Sequence, residues 1–466
     1  MVRTKYKQEL LILIIILVVA SAIYSLFLFI NPVTMWDENV YLGNARSHIG
    51  VSNFTEDFRF PLLEYVLASI WFITGESLLI ARIVMILFSL ASILAFYLIT
   101  KEMFSERLLY LTATSLFAIS PLMIYWSFRI YTDIPAVCAM LFSIVFFLKY
   151  YRKKQIAYIF GSGVLTSIAF LFRFPVVLFA IILVGYLILD KQIKASLFFS
   201  LGSGITLIPW MIYNWLNYNN PIWDLLAQGG AVATYTTMQP FSILIIRLIE
   251  TMGLLLIGLI PFLWWLFFAK NKIRVFKKRS FFKLFFIITL VEILFYGFVV
   301  RLKLSRYLLT IIPFIIIIGL AGIYWLFDRI SKDKKKLILI IVFIVFFLQL
   351  TFVGVLNIHT IYKEDFCKQP LYDAVEFVKE TYPSDSLIMA TSWPWFGYYG
   401  NFKVSSTWSN NISLLLNKTS PDVVVLNKWG LVVNKDDYLN CTSLKKINSF
   451  SNSCGDEVII LDVDTN

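Results

Sequence analysis

Apolar residues in this chain come in long unbroken blocks, and the polar segments between them are short and mostly basic. Blocks of about 18 residues or more have the length a helix needs to cross a bilayer. Eleven spanning helices are predicted, near 8–30, 77–100, 107–124, 133–150, 155–172, 174–190, 195–216, 241–269, 281–300, 307–327 and 337–356. The apolar stretch from Pro61 to Thr74 is shorter, 14 residues, and carries Glu64. Counting it as a span would set the basic N-terminus opposite every later basic loop, so it is read as an interfacial or juxtamembrane helix.

After Leu356 the pattern turns polar. A helix is predicted near 370–381, then strands at Leu387–Ala390, Val423–Leu426 and Val458–Leu461, with Pro, Gly and Asn breakers between. The expected fold class is therefore a polytopic α-helical membrane protein of about eleven transmembrane helices with a C-terminal extracytoplasmic α/β domain. Two domains follow, 1–356 (its first outer loop, 31–76, holding the juxtamembrane helix) and 357–466.

Composition agrees: 59% hydrophobic and 15% charged, against about half and a quarter in soluble domains. The net charge of +12 does not point to nucleic acid, because 23 of the 41 Lys and Arg sit at the N-terminus and in five interhelical loops. With eleven spans these loops share one side, which the positive-inside rule makes cytoplasmic. The N-terminus is then inside and the polar C-terminal domain outside. Ala20-Ser21-Ala22 is a plausible signal-peptide cleavage site, but the apolar run continues to Ile30, which favours an uncleaved first helix. The sequons at Asn53, Asn411, Asn417 and Asn440 all fall on the predicted outer face. Cys367, Cys441 and Cys454 lie there too, where a disulfide is permitted, and the pair expected is Cys441–Cys454. No cysteine spacing suggests a metal site.

The polar residues that the membrane does not explain carry the candidate chemistry. Asp37 and Glu38 follow the first span, and an acidic pair at a membrane boundary is costly unless it faces a cavity, a substrate or an ion. Asp133 starts the fourth span, either as a helix cap or as a second carboxylate facing Asp37, and the two readings are compatible. Arg173 lies between two apolar runs, where snorkelling to the interface would explain it. Arg301, Lys303 and Arg306 crowd an outer loop against the positive-inside bias; such cations suit a lipid phosphate. Interfacial aromatic belts account for Trp210 and Tyr213, and Arg247 and Glu250 are spaced to pair. Glu292, inside a span, is expected to make an interior polar contact, and His48 and His359 receive no role.

The ordered set of motifs resembles a known family. The acidic pair after the first span is followed by Arg59-Phe60-Pro61-Leu62, Gly75-Glu76-Ser77, Ser120-Pro121 and Asp133-Ile134-Pro135. Pro209-Trp210, Asn214, Asn220-Pro221-Ile222 and Lys303 with Arg306-Tyr307-Leu308-Leu309 come next. Over nearly the whole chain this is similar to GT-C glycosyltransferases of the protein O-mannosyltransferase and aminoarabinose transferase (ArnT-like) type. The resemblance implies inverting transfer of one sugar, mannose by analogy, from a polyprenyl or dolichyl phosphate to an acceptor hydroxyl at the outer membrane face. It implies Asp37 as catalytic base, Glu38 as its positioning or structural neighbour, and Asp133 as a second acid. Lys303 and Arg306, with Arg301 and Arg59, would then bind the donor phosphate.

No cofactor is required by the sequence, although a divalent metal held by Asp37 or Asp133 fits the scheme. The partners implied are the lipid-linked sugar donor, membrane lipids, and a glycan, lipid or protein acceptor. The tail lacks a Trp-Trp-Asp motif (Trp393-Pro394-Trp395 is not one), which argues against en bloc oligosaccharide transfer to Asn. Among the alternatives, a lipid or lipid-linked sugar flippase also accommodates many spans with charges. It leaves unexplained the gathering of those charges at one face. A receptor or scaffold leaves the acidic pair and the 301–306 cations without purpose.

Overall fold

The computed structural model describes residues 2–30, 33–52, 54–56, 59–235, 237–268, 279–326, 332–407, 412–428, 438–455 and 457–463. Helices follow in the order α1 (Val2–Ile30), α2 (Trp36–His48), α3 (Leu62–Thr74), α4 (Leu78–Met103), α5 (Arg107–Ala118), α6 (Pro121–Trp126) and α7 (Asp133–Lys153). Next come α8 (Ile156–Phe172), α9 (Val177–Leu189), α10 (Ile193–Tyr218), α11 (Trp223–Tyr235), α12 (Phe241–Met252), α13 (Leu259–Phe267), α14 (Arg279–Phe298), α15 (Ile312–Leu326) and α16 (Lys332–Thr381). The last part alternates β1 (Leu387–Ala390), α17 (Trp393–Tyr398), β2 (Lys403–Ser406), α18 (Ile412–Thr419), β3 (Val423–Leu426), β4 (Leu444–Ser451) and β5 (Glu457–Val463).

The expectation of eleven spans is not met. Among the described residues five helices are long and apolar enough to cross a bilayer: Lys7–Phe29, Leu78–Met103, Asp133–Lys153, Ile193–Tyr218 and Ser280–Phe298. A sixth results if Phe241–Met252 and Leu255–Phe267, bent by 101° to one another, form one broken span. The difference arises where apolar runs are interrupted. The run at 107–124 breaks before Pro121, whose ring disfavours helix in the preceding residue. The run from 155 to 190 divides at Arg173, as expected, but its two helices, Ile156–Phe172 and Phe174–Leu189, are each shorter than 18 residues. A 3-10 segment, Gly253–Gly258, divides the run at 241–269. The stretch 337–356 and the helix expected at 370–381 are parts of α16, which continues through Pro370.

The chain divides into two compact units. The first holds residues 1–30, 60–62 and 82–356 and is helical. Here α8 and α10 approach backbone to backbone: a Cβ on Gly163 would lie 2.1 Å from the Phe199 carbonyl oxygen, and one on Gly202 2.4 Å from that of Phe160. Small residues at such crossings are how apolar helices pack when burial from water drives nothing. Ser143 on α7 adds hydrogen bonds to Ser162 (2.9 Å) and Thr166 (2.7 Å) on α8.

The second unit holds residues 31–59, 63–81 and 357–466, so the first polar loop and most of α3 cluster with the C-terminal segment. Its sheet runs β2-β1-β3-β5-β4, parallel among β2, β1 and β3, then antiparallel through β5 to β4. The central strands β1, β3 and β5 supply the buried core, with Val40, Phe54, Leu371, Trp395 and Phe396 packed on one face. A disulfide joins Cys367 of α16 to Cys454 in the turn between β4 and β5. The expected Cys441–Cys454 pair is therefore wrong; Cys441 is a free thiol beside Ser443. Asn417 and Asn440 are exposed, and the sequons at Asn53 and Asn411 lie outside the described residues.

Candidate active site

In the second unit the candidate base stands at a helix start. Asp37 and Glu38 occupy the first turn of α2, where carboxylates meet unsatisfied backbone N–H groups and the positive end of the dipole. Glu38 is fully buried, and its Oε2 accepts the Met35 N–H at 2.8 Å, so that carboxylate closes the helix end. Asp37 carries an ion pair. Its Oδ1 lies 3.0 Å from Arg59 Nη1, and Arg59 Nε lies 2.6 Å from Glu56 Oε1. The guanidinium thus bridges two acids. Burial alone would lower Arg59, but Asp37 and Glu56 outweigh it and hold the cation well above the usual arginine range. Burial pushes Glu56 up, against the opposing pull of Arg59. Arg59, expected at the donor phosphate, is engaged by two carboxylates of its own unit.

Two further contacts fix α2. Thr34 Oγ1 donates to Asn39 Oδ1 at 2.5 Å and meets the Tyr399 hydroxyl at 2.8 Å. Arg46 donates to the Tyr398 carbonyl and pairs with Glu76 at 3.1 Å. His48, without assigned role in the sequence, stacks on Tyr65 and faces Glu64 at 3.6 Å.

In the helical unit the second candidate acid is paired as well. Thr132, not Asp133, is the cap of α7; Asp133 is its first residue, and its Oδ1 accepts a hydrogen bond from Arg173 Nη1. Arg173 is not snorkelling: its side chain is only 10% exposed. It also lies within electrostatic reach of Tyr296 and over the Tyr307 ring at 4.7 Å, and Tyr307 stacks on Tyr296 at 5.3 Å. Arg306 covers the Tyr131 ring at 4.7 Å and is close enough to Arg173 to repel it. Glu292 is buried beside Thr310 and within electrostatic reach of Arg173, an interior polar contact as expected. Asp133 Oδ2, Arg173 Nε and Glu292 Oε2 are buried without a hydrogen-bond partner among the described residues. Such orphaned atoms mark a place built for a polar group or water.

Lys303 is buried, its ammonium donating to the Val300 carbonyl and lying 3.9 Å from Met238 Sδ. Burial pushes it below the usual lysine range. Arg301 is half-buried, and its carbonyl accepts the Gln239 N–H at 3.0 Å. Trp210, read as an interfacial ring, is buried and donates to Asp224 at 2.8 Å; Arg247 and Glu250 pair at 3.0 Å. Among the described residues no group of three or more His, Cys, Asp or Glu is arranged to hold a metal.

The candidates thus form two groups: Asp37, Glu38 and Arg59 in one unit, and Asp133, Arg301, Lys303 and Arg306 in the other. Sequence reasoning missed Glu56, although its spacing of three from Arg59 was a usable signal, and it missed the pairing of Arg173, which nothing local betrays.

Residues 59–215, about a third of the chain, match the family model of dolichyl-phosphate-mannose-protein mannosyltransferases. No curated protein sequence matches. Among solved structures the chain is similar to ArnT from Cupriavidus metallidurans bound to undecaprenyl phosphate, with a TM-score of 0.68 and 13% identity over 96% of this chain and 97% of that one. The apo state of the same protein gives 0.66 and 14%, over 97% and 98%. These likenesses show a GT-C fold of the kind ArnT has, and over residues 59–215 the chain is similar to the dolichyl-phosphate-mannose-protein mannosyltransferases.

Proposed function

We propose that this GT-C relative is a polyprenyl-phosphate-sugar-dependent glycosyltransferase that moves a single sugar, with inversion, to an acceptor hydroxyl at the outer membrane face. The observation that carries the reading is the full-length likeness to a protein crystallised with undecaprenyl phosphate, joined to the acidic start of α2 in this chain. Mannose is the expected sugar, since the matched family model is named for dolichyl-phosphate mannose. Asp37 is assigned as the base that takes the acceptor proton, and Glu38 as the residue that shapes the helix end around it. A positioned carboxylate base contributes about 10²–10⁴-fold.

The leaving group needs fixed positive charge where phosphate charge develops. Arg306 and Lys303 are assigned to it, with Arg301 beside them. Arg173 orients Asp133 and leaves that acid an open oxygen for a sugar hydroxyl or, if one is used, a divalent metal. The N-terminus is placed in the cytoplasm and the C-terminal segment outside, which requires an odd number of crossings, some made by helices shorter than 18 residues.

The test uses purified protein in nanodiscs with radiolabelled polyprenyl-phosphate sugars and a membrane extract as acceptor. Label passes from one donor to a new product, and Asp37→Asn lowers the rate at least a hundredfold while donor binding persists. Near-normal turnover in that variant would remove Asp37 as the base; absence of both transfer and donor binding would remove the enzyme reading.

A further inference from the structure

Trp393-Pro394-Trp395 opens α17, and its contacts reach Asp37 by two routes. The first is steric. Trp36, the residue before Asp37, meets the Trp393 ring edge-on at 4.7 Å and the Trp395 ring at 5.9 Å. The second is polar. Trp393 stands close enough to Glu56 to favour its charged form, Glu56 Oε1 lies 2.6 Å from Arg59 Nε, and Arg59 Nη1 lies 3.0 Å from Asp37 Oδ1. Trp393 and Glu56 are each 7% exposed, so water screens these contacts little.

We propose that Trp393 and Glu56 are positioning residues that set the orientation and basicity of Asp37 through Arg59, so that the C-terminal segment completes the catalytic base. The proposal rests on Asp37 being that base. A lone arginine beside a carboxylate stabilises its anion and makes it a poor proton acceptor. Here the one guanidinium is divided between two acids, and the second acid adds like charge near the first. Both effects restore basicity to Asp37. The indole N–H of Trp393 helps to keep buried Glu56 in its charged form, which is what holds Arg59 back. Among the described residues, Glu38, engaged at Met35, and Tyr41, whose ring lies 5.9 Å from the Arg59 guanidinium, also face these groups. Glu64 of α3, paired with His48, acts on Glu56 from the far side.

Two readouts on the full chain in nanodiscs test this, one independent of turnover. Peptide mass spectrometry after carbodiimide treatment follows the protonation of Asp37 between about pH 4 and 9. Glu56→Gln and Trp393→Phe each move its labelling midpoint down by about one pH unit. The double variant moves it no further than Glu56→Gln alone. In transfer assays kcat falls about three- to tenfold, donor KM holds, and the melting temperature of Trp393→Phe stays near that of the wild type. An unmoved midpoint, shifts that add in the double variant, or a rise in KM at constant kcat would each overturn the proposal. Wild-type protein that transfers no sugar refutes the function, while a moved midpoint in that same protein still upholds the coupling.

Discussion

Glu64 shows at the scale of one residue how far this molecule departs from its surface chemistry. It sits on α3, 4% exposed, with Asn44 Nδ2 on Oε1 at 2.8 Å and His48 at Oε2. Burial pushes its carboxyl up to about 7, only partly offset by His48 and Asn44. A carboxyl raised above its unfolded value of about 4.3 binds its proton more tightly when folded. Its contribution to stability is therefore complete below about 4.3 and is lost as pH rises through about 7. Glu64→Gln, which keeps an acceptor for Asn44 and cannot ionise, should gain on the wild type in melting temperature between pH 5 and 8. A difference between the two that stays flat across that range would show that Glu64 titrates normally. The same principle of enclosure governs Asp133 and Arg173. Each is tolerable in its buried place only because the other neutralises it, and loss of one partner from such a pair costs about 3–5 kcal/mol.

Among elements, α2 and α17 define the candidate base by how closely they approach. The Phe54 ring lies between Gly43 of α2 and Gly397 of α17: a Cβ would stand 2.4 Å from the ring at the first and 2.2 Å at the second. Neither helix can carry a larger residue there without displacing Phe54 and with it the segment leading to Glu56 and Arg59. Gly397→Ala should lower the melting temperature by several degrees, corresponding to roughly 1–3 kcal/mol of overpacking. Phe54→Leu in the same chain should return part of that loss; if the double variant is no better than the single, the clash is elsewhere. None of this could be read from the sequence, because a glycine facing a ring from 343 positions away leaves no local pattern. The sheet shows where legibility ended. Buried β1, β3 and β5 are apolar runs and were predicted within a few residues. The edge strands β2 (Lys-Val-Ser-Ser) and β4 (Leu-Lys-Lys-Ile-Asn-Ser-Phe-Ser) are polar, as sheet edges tend to be, and were missed for that reason.

For the whole molecule, the membrane class and the acidic pair after the first span were legible because both depend on runs of adjacent residues, whereas α2, which that pair opens, is polar enough to read as loop. The number of long helices was not, since breaks at Pro121 and Gly253 depend on backbone geometry that hydropathy does not weigh, and the two helices that meet at Arg173 are each shorter than 18 residues. Disulfide pairing was likewise hidden: Cys441 lies nearer to Cys454 in sequence, but Cys367 and Cys454 are 5.5 Å apart at Cα across an 87-residue separation. Structural bridges of this kind persist mainly in oxidising compartments, so its presence would support placing the C-terminal segment outside. Non-reducing peptide mapping should recover a Cys367–Cys454 peptide, unchanged in Cys441→Ser. Closing a loop of that length constrains the unfolded chain, and Cys454→Ser should cost about 2–4 kcal/mol in the C-terminal unit. A Cys441–Cys454 peptide would mean that β4 and β5 are joined differently from the register described. Free thiols at all three positions in protein taken directly from the membrane would place the segment in a reducing compartment, and the odd number of crossings would have to be abandoned with it.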